Sequence, residues 1–399
     1  MTTVDEHAHL VAGLVVPRLT GIAPERVALL DALGRVTETD ILSPVDLPLF
    51  RNSQMDGYAV RAADVAASPV TLPVAGLIAA TAGEPPALEP GTAVRIMTGA
   101  PVPDGADAIV PVEDTVDTDA LSERVSISRG RDAGEYVRDR GSDIRAGELL
   151  LAGGLRLEPR HLAALAATGI TEIDVRGRAR VAIITTGAEL VSPGETPRPG
   201  QIYDSNSVAL VAAARAAGAE VTLARRVVDD PAVLLATLDE AASVADVIVT
   251  SGGISHGDFE VVRELLEPRG ARVGHVAMQP GGPQATAVFE GVPVISFPGN
   301  PVSTQLSFEV FLAPLLRSLA GIPAPPREHR VLVSSVRSVL GKRQFLRGRR
   351  VEDTPELVEI VAGPGSHLVA GLAASDCLIV IPEEVTELTA GESVETWAL

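Results

Sequence analysis

The chain has 399 residues, which exceeds one ordinary hydrophobic core and predicts two to four domains. Its formal net charge of −19 counts against nucleic acid and anionic membrane surfaces as partners, since both require a basic face. Cys377 is the only cysteine, which excludes an intrachain disulfide and cysteine-cluster metal sites. The chain shows no signal-peptide pattern and no apolar run of bilayer length, so we expect a cytoplasmic protein.

The first 177 residues predict a helical domain interrupted by an inserted β domain. Apolar positions recur at helical spacing in 4–19 and 25–36, and we expect His7 and His9 to face solvent. Residues 45–140 are rich in Pro and Gly with short apolar runs, a pattern typical of small β domains. The flanking pieces, 1–44 and 141–177, are predicted to join as one split helical domain.

The second half predicts an α/β domain followed by a β barrel. Strands and helices alternate through 178–326, which indicates a doubly wound parallel sheet. One helix is expected over 205–218, capped by Ser205 or Asn206 and ended by Gly218. Another is expected from Ser307 onward. Short strand-like runs in 327–399 predict the barrel, so the fold class is multidomain α/β and β.

Glycine-rich loops follow the predicted strands of the α/β domain. They are TTGAEL (185–190), TSGGISHGDFE (250–260) and FPGNPVS (297–303), and GQIYDSN (200–206) leads into a helix. Ligands of such sheets bind beyond the carboxyl ends of the strands, where backbone N–H groups can hold phosphate. One such loop alone is more often an ordinary turn, but several at one edge favour a phosphorylated or adenylated ligand. The sequence shows neither GxxxxGK[ST] nor a GxGxxG after a strand, which counts against ATPases and dinucleotide enzymes.

Several carboxylates accompany these loops. Glu189, Asp229 and Glu260 suit Mg²⁺, a hard cation that shares oxygen ligands between protein and phosphate. The alternative is that Asp229 caps the following helix and that Asp258 and Glu260 favour the dipole of their own helix. For Asp230 and Asp258, only this alternative is plausible.

Polar residues of the inserted region also suggest chemistry. Asp56 precedes Gly57 in a run whose ordinary explanation is a type I′ or II′ hairpin turn. Thr98 is followed by Gly99 and either forms a turn or offers its hydroxyl to a ligand. Asp143 lies near two arginines, and the alternative there is a solvated ion-pair group.

The histidines are scattered and form no HExxH motif, which argues against a zinc enzyme. Ser251 and His256 form no recognisable nucleophile elbow, which argues against a serine hydrolase.

Taken in order, MDGYA, RIMTGAPVPDGADAIVPVEDT, TTGAEL, GQIYDSN, SGGISHGD and FPGNPVS resemble the molybdopterin molybdenumtransferases, which include bacterial MoeA and the E domain of gephyrin. The resemblance runs from about Asp5 to Trp397. It implies a four-part subunit, a homodimer, and insertion of molybdate into adenylylated molybdopterin with Mg²⁺ and release of AMP. It also suggests transient contact with the molybdopterin adenylyltransferase and with molybdoenzyme apoproteins.

The resemblance, together with the loop positions, assigns the candidate site residues. Those expected in catalysis are Asp56, Thr98, Asp143, Glu189, Asp229 and Glu260, of which Glu189, Asp229 and Glu260 are also expected to hold Mg²⁺. Those expected to bind pterin, phosphate or molybdate are Asp204, Ser205, Asn206, Gly252, Gly253, Ser255, Pro298, Gly299, Asn300, Ser303, Arg347 and Ser366.

The chain departs from the family where lysines are often found. The MQPGGP segment has Gln279 and Gly282 in place of two lysines, and Lys342 is the only lysine of the chain. This departure predicts weaker molybdate binding. It also keeps open a degenerate paralogue that binds pterin or acts as a scaffold without turnover. The related adenylyltransferase resembles only 178–320, so the additional domains count against it.

Overall fold

The computed structural model describes residues 1–116, 123–254 and 260–399. The chain forms two compact units. One consists of Arg26–Asp174, and the other joins Met1–Glu25 to Val175–Leu399. No helix of the described ranges is long and apolar enough to cross a membrane.

Helix α1 (Val4–Leu19) opens the second of these units and packs on its α/β core. A capping box starts it, since Thr3 Oγ1 accepts the Glu6 N–H at 3.1 Å and Glu6 Oε2 accepts the Thr3 N–H at 2.8 Å. His7 lies on its buried face, 5% exposed, edge-on to the ring of Phe311 at 4.7 Å between centroids. The prediction that His7 faces solvent is therefore wrong, whereas His9 is exposed as expected.

The unit Arg26–Asp174 is mostly β structure. In chain order its elements are β1 (Glu25–Ala28), a 3-10 turn (Leu29–Ala32), β2 (Ile41–Leu42), β3 (Asn52–Ser53), β4 (Gly57–Val60), α2 (Ala62–Val65), β5 (Val70–Ile78), β6 (Ala93–Ile96), β7 (Ala108–Pro111), a 3-10 turn (Val112–Asp114), β8 (Thr115–Val116), β9 (Arg124–Ile127), β10 (Val137–Arg138), β11 (Leu149–Leu151), α3 (Pro159–Ala167) and β12 (Glu172–Val175).

A six-stranded sheet in the order β7-β4-β6-β5-β9-β8 forms the β structure predicted within 45–140. The helix predicted over 25–36 is wrong. Residues 25–28 pair as β1 with β12, and only one 3-10 turn follows, with Leu30 83% exposed. The apolar spacing there reflects alternate burial along a strand, ERVA, rather than one face of a helix.

The α/β part carries the elements that surround the candidate site. They are β13 (Arg180–Thr186), β14 (Leu190–Val191), β15 (Ile202–Tyr203), α4 (Ser205–Ala216), β16 (Glu220–Val227), α5 (Pro231–Val244), β17 (Val247–Ser251), α6 (Val261–Leu266), a 3-10 turn (Glu267–Arg269), β18 (Arg272–His275), β19 (Met278–Gln279), β20 (Pro283–Phe289), β21 (Val292–Phe297), α7 (Pro301–Ser307), a π-helical turn (Phe308–Leu312) and α8 (Ala313–Leu319).

The central sheet has the order β16-β13-β17-β21-β20-β18. Its first four strands are parallel, as predicted, and apolar cores lie on both faces. β20 and β18 add an antiparallel edge that the sequence analysis did not foresee. The last helix also begins at Pro301, earlier than expected.

The C-terminal strands close into the predicted barrel. The elements are β22 (Arg327–Leu332), β23 (Val336–Arg337), β24 (Arg343–Val351), β25 (Thr354–Ala362), α9 (Val369–Ala373), β26 (Cys377–Ile381), β27 (Glu387–Leu388) and β28 (Ser393–Ala398). Strands β24, β25, β22, β28 and β26 pair in sequence, and β26 pairs back to β24, so five strands form a closed ring. Cys377 is buried, and burial raises the pKa of its thiol to about 12.

The burial of His7 predicts a pH-dependent stability. Burial lowers the pKa of His7 to about 4, against 6.5 for a free histidine. Between these values the unfolded chain binds a proton that the folded chain does not. Stability is therefore lost as the pH falls from about 6.5 to about 4, by up to about 3 kcal/mol. We expect His7→Phe, which keeps an aromatic contact with Phe311, to lack this loss when urea unfolding is followed against pH. The exposed control His9→Gln should behave as the wild type, and a pH profile of His7→Phe equal to that of the wild type would contradict the assignment.

Candidate functional site

A cleft of about 830 Å³ lies at the carboxyl ends of the parallel strands. Its lining belongs wholly to the unit that contains the α/β sheet and the barrel. Of the predicted residues, those that line it are Glu189, Asn206, Asp229, Gly252, Gly253, Glu260, Pro298, Gly299, Asn300, Ser303 and Ser366. The loops after β13, β17 and β21 thus meet at one edge, as their positions in a doubly wound sheet predicted.

Asn206 ties these loops together from the first turn of α4. Its Nδ2 donates to Ser251 Oγ at 3.0 Å and to the Gly299 carbonyl at 2.7 Å, so one amide joins the ends of β17 and β21. Ser251 Oγ in turn lies 3.1 Å from Thr304 Oγ1, whose hydroxyl donates to the Pro298 carbonyl. The Asn206 side-chain oxygen is fully buried without a partner in the described residues.

Asp204 holds this arrangement in place rather than lining the cleft. It is 5% exposed and caps α4 by accepting the Ser207 N–H at 3.0 Å, while its other oxygen accepts the Thr185 hydroxyl at 2.6 Å. The helix cap is therefore Asp204, and the prediction of Ser205 or Asn206 as cap is wrong. Ser205 is half-buried, and neither Asp204 nor Ser205 lines the cleft, so their contacts with a ligand stay a prediction.

The backbone at position 252, where the loops meet, requires a glycine. Its φ is +96°, and a Cβ there would lie 2.7 Å from the Thr186 carbonyl oxygen. A Cβ on Gly299 would in turn lie 3.3 Å from the Gly252 Cα. The backbone of the loop after β17 therefore lies directly between the loops after β13 and β21. A cleft that offers backbone N–H groups to a ligand requires such close packing.

The carboxylates at the cleft differ in their local hydrogen bonds and exposure. Asp229 Oδ2 accepts the Ala188 N–H at 3.0 Å and so fastens the loop after β13. Asp230, not Asp229, caps α5, since its Oδ1 accepts the N–H groups of Ala232 and Val233 at 2.8 and 3.3 Å. Glu189 is exposed and Glu260 half-buried, and both line the cleft.

The structure bears on the expected metal site of Glu189, Asp229 and Glu260. Within the described residues, no three His, Cys, Asp or Glu side chains lie close enough together to hold a metal ion. All three residues nevertheless face one cleft and offer only oxygen. That donor set fits Mg²⁺, which commonly takes one or two carboxylates and completes its shell with water and substrate phosphate.

Arg347 does not contact the cleft, which corrects the prediction of direct molybdate binding. It is fully buried in the barrel and donates to the carbonyls of Gly363, Gly365 and Phe345, the last two at 3.1 and 3.4 Å. Burial lowers the pKa of its guanidinium from the ordinary value. The arginine thus positions the turn that brings Ser366 to the cleft, where the Ser366 carbonyl accepts the Val302 N–H at 3.0 Å.

Asp56 and Thr98 come together in the unit Arg26–Asp174. Asp56 Oδ1 accepts the Thr98 N–H at 2.7 Å and the Thr98 hydroxyl at 2.9 Å, and these bonds lower the pKa of Asp56. Gly57 does not have the positive φ of a type I′ turn; it is required because a Cβ would lie 2.1 Å from the Val110 carbonyl oxygen. Asp143 is exposed, and no contact joins it to Asp56 or Thr98 in the described residues.

Two features of the site escaped the sequence analysis, and one predicted residue lies outside the described ranges. Ser251 and Thr304 were not assigned to the site, although their hydroxyls bridge the loops. Lys342 lines the cleft, and the signal that could have found it is its uniqueness in the chain. Ser255 lies outside the described residues.

The adjacent aspartates give a matched test of this geometry. Asp230→Ala should lower the free energy of unfolding by about 1 kcal/mol, because α5 loses its cap, and Asp230→Asn should restore it. Asp229→Ala should instead release the Ala188 N–H and speed hydrogen exchange in 187–190. Denaturation and peptide-level exchange of both variants measure these effects. Equal exchange in 187–190 for the two alanine variants would refute the anchoring role of Asp229.

The chain matches known families over nearly its whole length. Residues 2–169 match the family described as MoeA N-terminal region (domain I and II). Residues 182–318 match the probable molybdopterin binding domain, and residues 330–399 match the MoeA C-terminal region (domain IV).

Similar proteins cover the chain from end to end. Molybdopterin molybdenumtransferase 2 of Mycobacterium tuberculosis is 43% identical over 412 residues, covering 100% of both chains. The molybdopterin molybdenumtransferase of Nostoc sp. is 36% identical over 99% of this chain and 93% of its own. The crystal structure of a molybdopterin biosynthesis MoeA protein from Pyrococcus horikoshii superimposes with a TM-score of 0.83 at 34% identity, covering 100% of this chain and 99% of that one. The chain belongs to the molybdopterin molybdenumtransferase family.

Proposed function

We propose that this chain catalyses the insertion of molybdate into adenylylated molybdopterin, with release of AMP, at the cleft of its α/β domain. The observation that carries the proposal is the meeting of three glycine-containing loops at one cleft, where Asn206 joins two of them. The three named relatives are a molybdenumtransferase, a second molybdenumtransferase and a molybdopterin biosynthesis protein, which agrees with this substrate.

Each group of cleft residues has a proposed role that follows from its chemistry. The Gly253 N–H and the Ser303 hydroxyl are available to a phosphate or pterin, because they line the cleft as donors. The Gly252 N–H already donates to the Phe297 carbonyl at 3.1 Å. The Ser366 hydroxyl and the Gln279 amide would hold the oxygens of molybdate. Gln344 Nε2 donates to Gln279 Oε1 at 2.9 Å, which orients the glutamine and leaves its NH₂ group for a ligand. In the proposed reaction a molybdate oxygen attacks the AMP phosphorus, and the anhydride P–O bond breaks to leave the molybdopterin phosphate. The dithiolene sulfurs then bond to molybdenum, and AMP leaves with that molybdate oxygen.

Mg²⁺ is part of this proposal. Glu189, Asp229 and Glu260 are the residues that would hold it, together with the substrate phosphate. When bound, the ion would polarise the phosphoanhydride and stabilise the charge of the leaving phosphate. The carboxylates would keep the ion near the loops whose amides would bind the phosphate.

The direct test is a single incubation with four components. The purified chain, adenylylated molybdopterin, Mg²⁺ and molybdate should release AMP, and leaving out molybdate or Mg²⁺ should reduce the release. Ligand binding without AMP release under any condition would favour the alternative of a pterin-binding scaffold.

Asp56→Asn tests whether the inserted domain takes part in turnover. Asparagine keeps an oxygen for both Thr98 bonds, so stability should be nearly unchanged. If the charge of Asp56 serves the reaction, AMP release should fall at least about tenfold, equivalent to roughly 1.4 kcal/mol. Asp139→Asn, an exposed carboxylate at 79%, is the matched control. Full activity of Asp56→Asn would return Asp56 to a structural role.

Gln279 and Gly282 lie where the family often has lysines, so we expect a high half-saturating molybdate concentration. A Cβ on Gly282 would come no closer than 3.5 Å to a neighbour, so the position accepts a side chain. Gln279→Lys/Gly282→Lys should lower the half-saturating molybdate concentration about fivefold or more. One added charge at about 4 Å contributes roughly 1 kcal/mol even in water. Val233→Lys/Val288→Lys adds the same charge at exposed positions. An equal effect of both double variants would mean that net charge, and not the cleft, is responsible.

The homodimer and the transient contacts with the adenylyltransferase and with molybdoenzyme apoproteins remain predictions.

A further inference from the structure

The cleft needs a positive charge that its predicted residues do not supply. Glu189, Asp229 and Glu260 line it, whereas Arg347 is buried elsewhere and bonded to carbonyl groups. Unless Mg²⁺ offsets them, a dianionic substrate would meet three carboxylates there. Backbone N–H groups and hydroxyls offset part of this repulsion, but they carry no net charge.

Lys342 is the only lysine or arginine among the described residues that line the cleft. It is half-buried, and no hydrogen bond or ion pair engages its side chain in the described residues. The neighbouring Arg343, by contrast, is fully engaged with Asp5 at 2.9 and 3.0 Å and with Glu383 at 3.0 Å. Of these two consecutive residues, Arg343 is therefore held in ion pairs, and Lys342 is available to a ligand.

The backbone places Lys342 beside Ala277, two residues before Gln279 in the neighbouring segment. The Lys342 N–H donates to the Val339 carbonyl at 3.2 Å, and the next N–H, of Arg343, donates to the Ala277 carbonyl at 2.8 Å. Strand β24 then runs parallel to β19, with Gln279 opposite Gln344. Lys342 thus lies immediately before β24, the strand that pairs with the segment leading to Gln279 and Gly282, and its side chain lines the same cleft as theirs.

We propose that Lys342 supplies the positive charge that holds a tetrahedral oxyanion in this cleft, together with the Gln279 amide. The oxyanion is either free molybdate or the phosphate of the adenylylated substrate, since both present the same charged oxygens. The inference rests on the proposed function, because it assigns the charge partner of that reaction's anion. It gives this chain a cation in the cleft although positions 279 and 282 have none.

Calorimetric titration of the full chain tests the assignment without turnover. Lys342→Met should weaken binding of molybdate, of AMP, or of both, at least about tenfold, and Lys342→Arg should retain most of it. Loss for molybdate alone identifies the free oxyanion as the ligand, and loss for AMP alone identifies the nucleotide phosphate. Arg337→Met removes one charge from a side chain that is 87% exposed and should leave both affinities unchanged. Unchanged melting temperatures of the variants show that the fold is intact.

The unique lysine permits a second measurement on the unsubstituted residue. Reductive methylation with ¹³C-formaldehyde labels one side-chain amine and the N-terminal amine, whose signals are separate. The Lys342 signal should move on addition of the anion that calorimetry shows to bind. A signal that stays fixed at saturation, or a Lys342→Met variant with wild-type affinities, would overturn the proposal. In that case AMP release by the Lys342→Met variant would show that the proposed function stands and only the role of Lys342 fails. Absence of any anion binding by the wild type would contradict the assignment of Lys342, and absence of AMP release as well would contradict the function.

Discussion

The hydrogen bonds of one buried amide hold the candidate site together. Asn206 donates to Ser251 and to the Gly299 carbonyl, and thereby fixes the loops that follow two neighbouring strands. Asp204 makes this possible, because it caps α4 and accepts the Thr185 hydroxyl. The ends of three strands and the start of one helix therefore share a single network. A ligand bound there meets a surface whose donors are already in place, which reduces the entropy lost on binding.

The charge of the molecule and the charge of its proposed substrates oppose each other. The chain carries −19, yet molybdate and adenylylated molybdopterin are anions. The structure offsets this repulsion locally, because loop N–H groups, hydroxyls, the Gln279 amide and Lys342 lie in one cleft. Arginine, which is common elsewhere in the chain, contributes through Arg347 by holding a turn rather than by binding the anion. Any preference between anions of equal charge would depend on where donors lie, since the overall charge disfavours such anions alike.

The sequence predicted the parts of this site that follow from periodicity and strand ends. Strands β13, β17 and β21 and their glycine loops lie where alternation placed them, and the family resemblance covers the whole chain. Side-chain partners were harder to predict, because they depend on tertiary neighbours. Asp204 rather than Ser205 caps α4 since Thr185 lies beside it, and Arg347 is buried because carbonyls of a distant turn satisfy it. His7 is buried because Phe311, far along the chain, packs on it.

The central claim is that the three loops held by Asp204 and Asn206 form the binding surface of the pterin substrate. Hydrogen–deuterium exchange of the full chain, with and without adenylylated molybdopterin, tests it most directly. The account predicts that the substrate slows exchange in 186–190, 251–254 and 298–303 together, because one ligand contacts all three loops. Unchanged exchange in these segments at saturating substrate, with protection elsewhere in the chain, would contradict it.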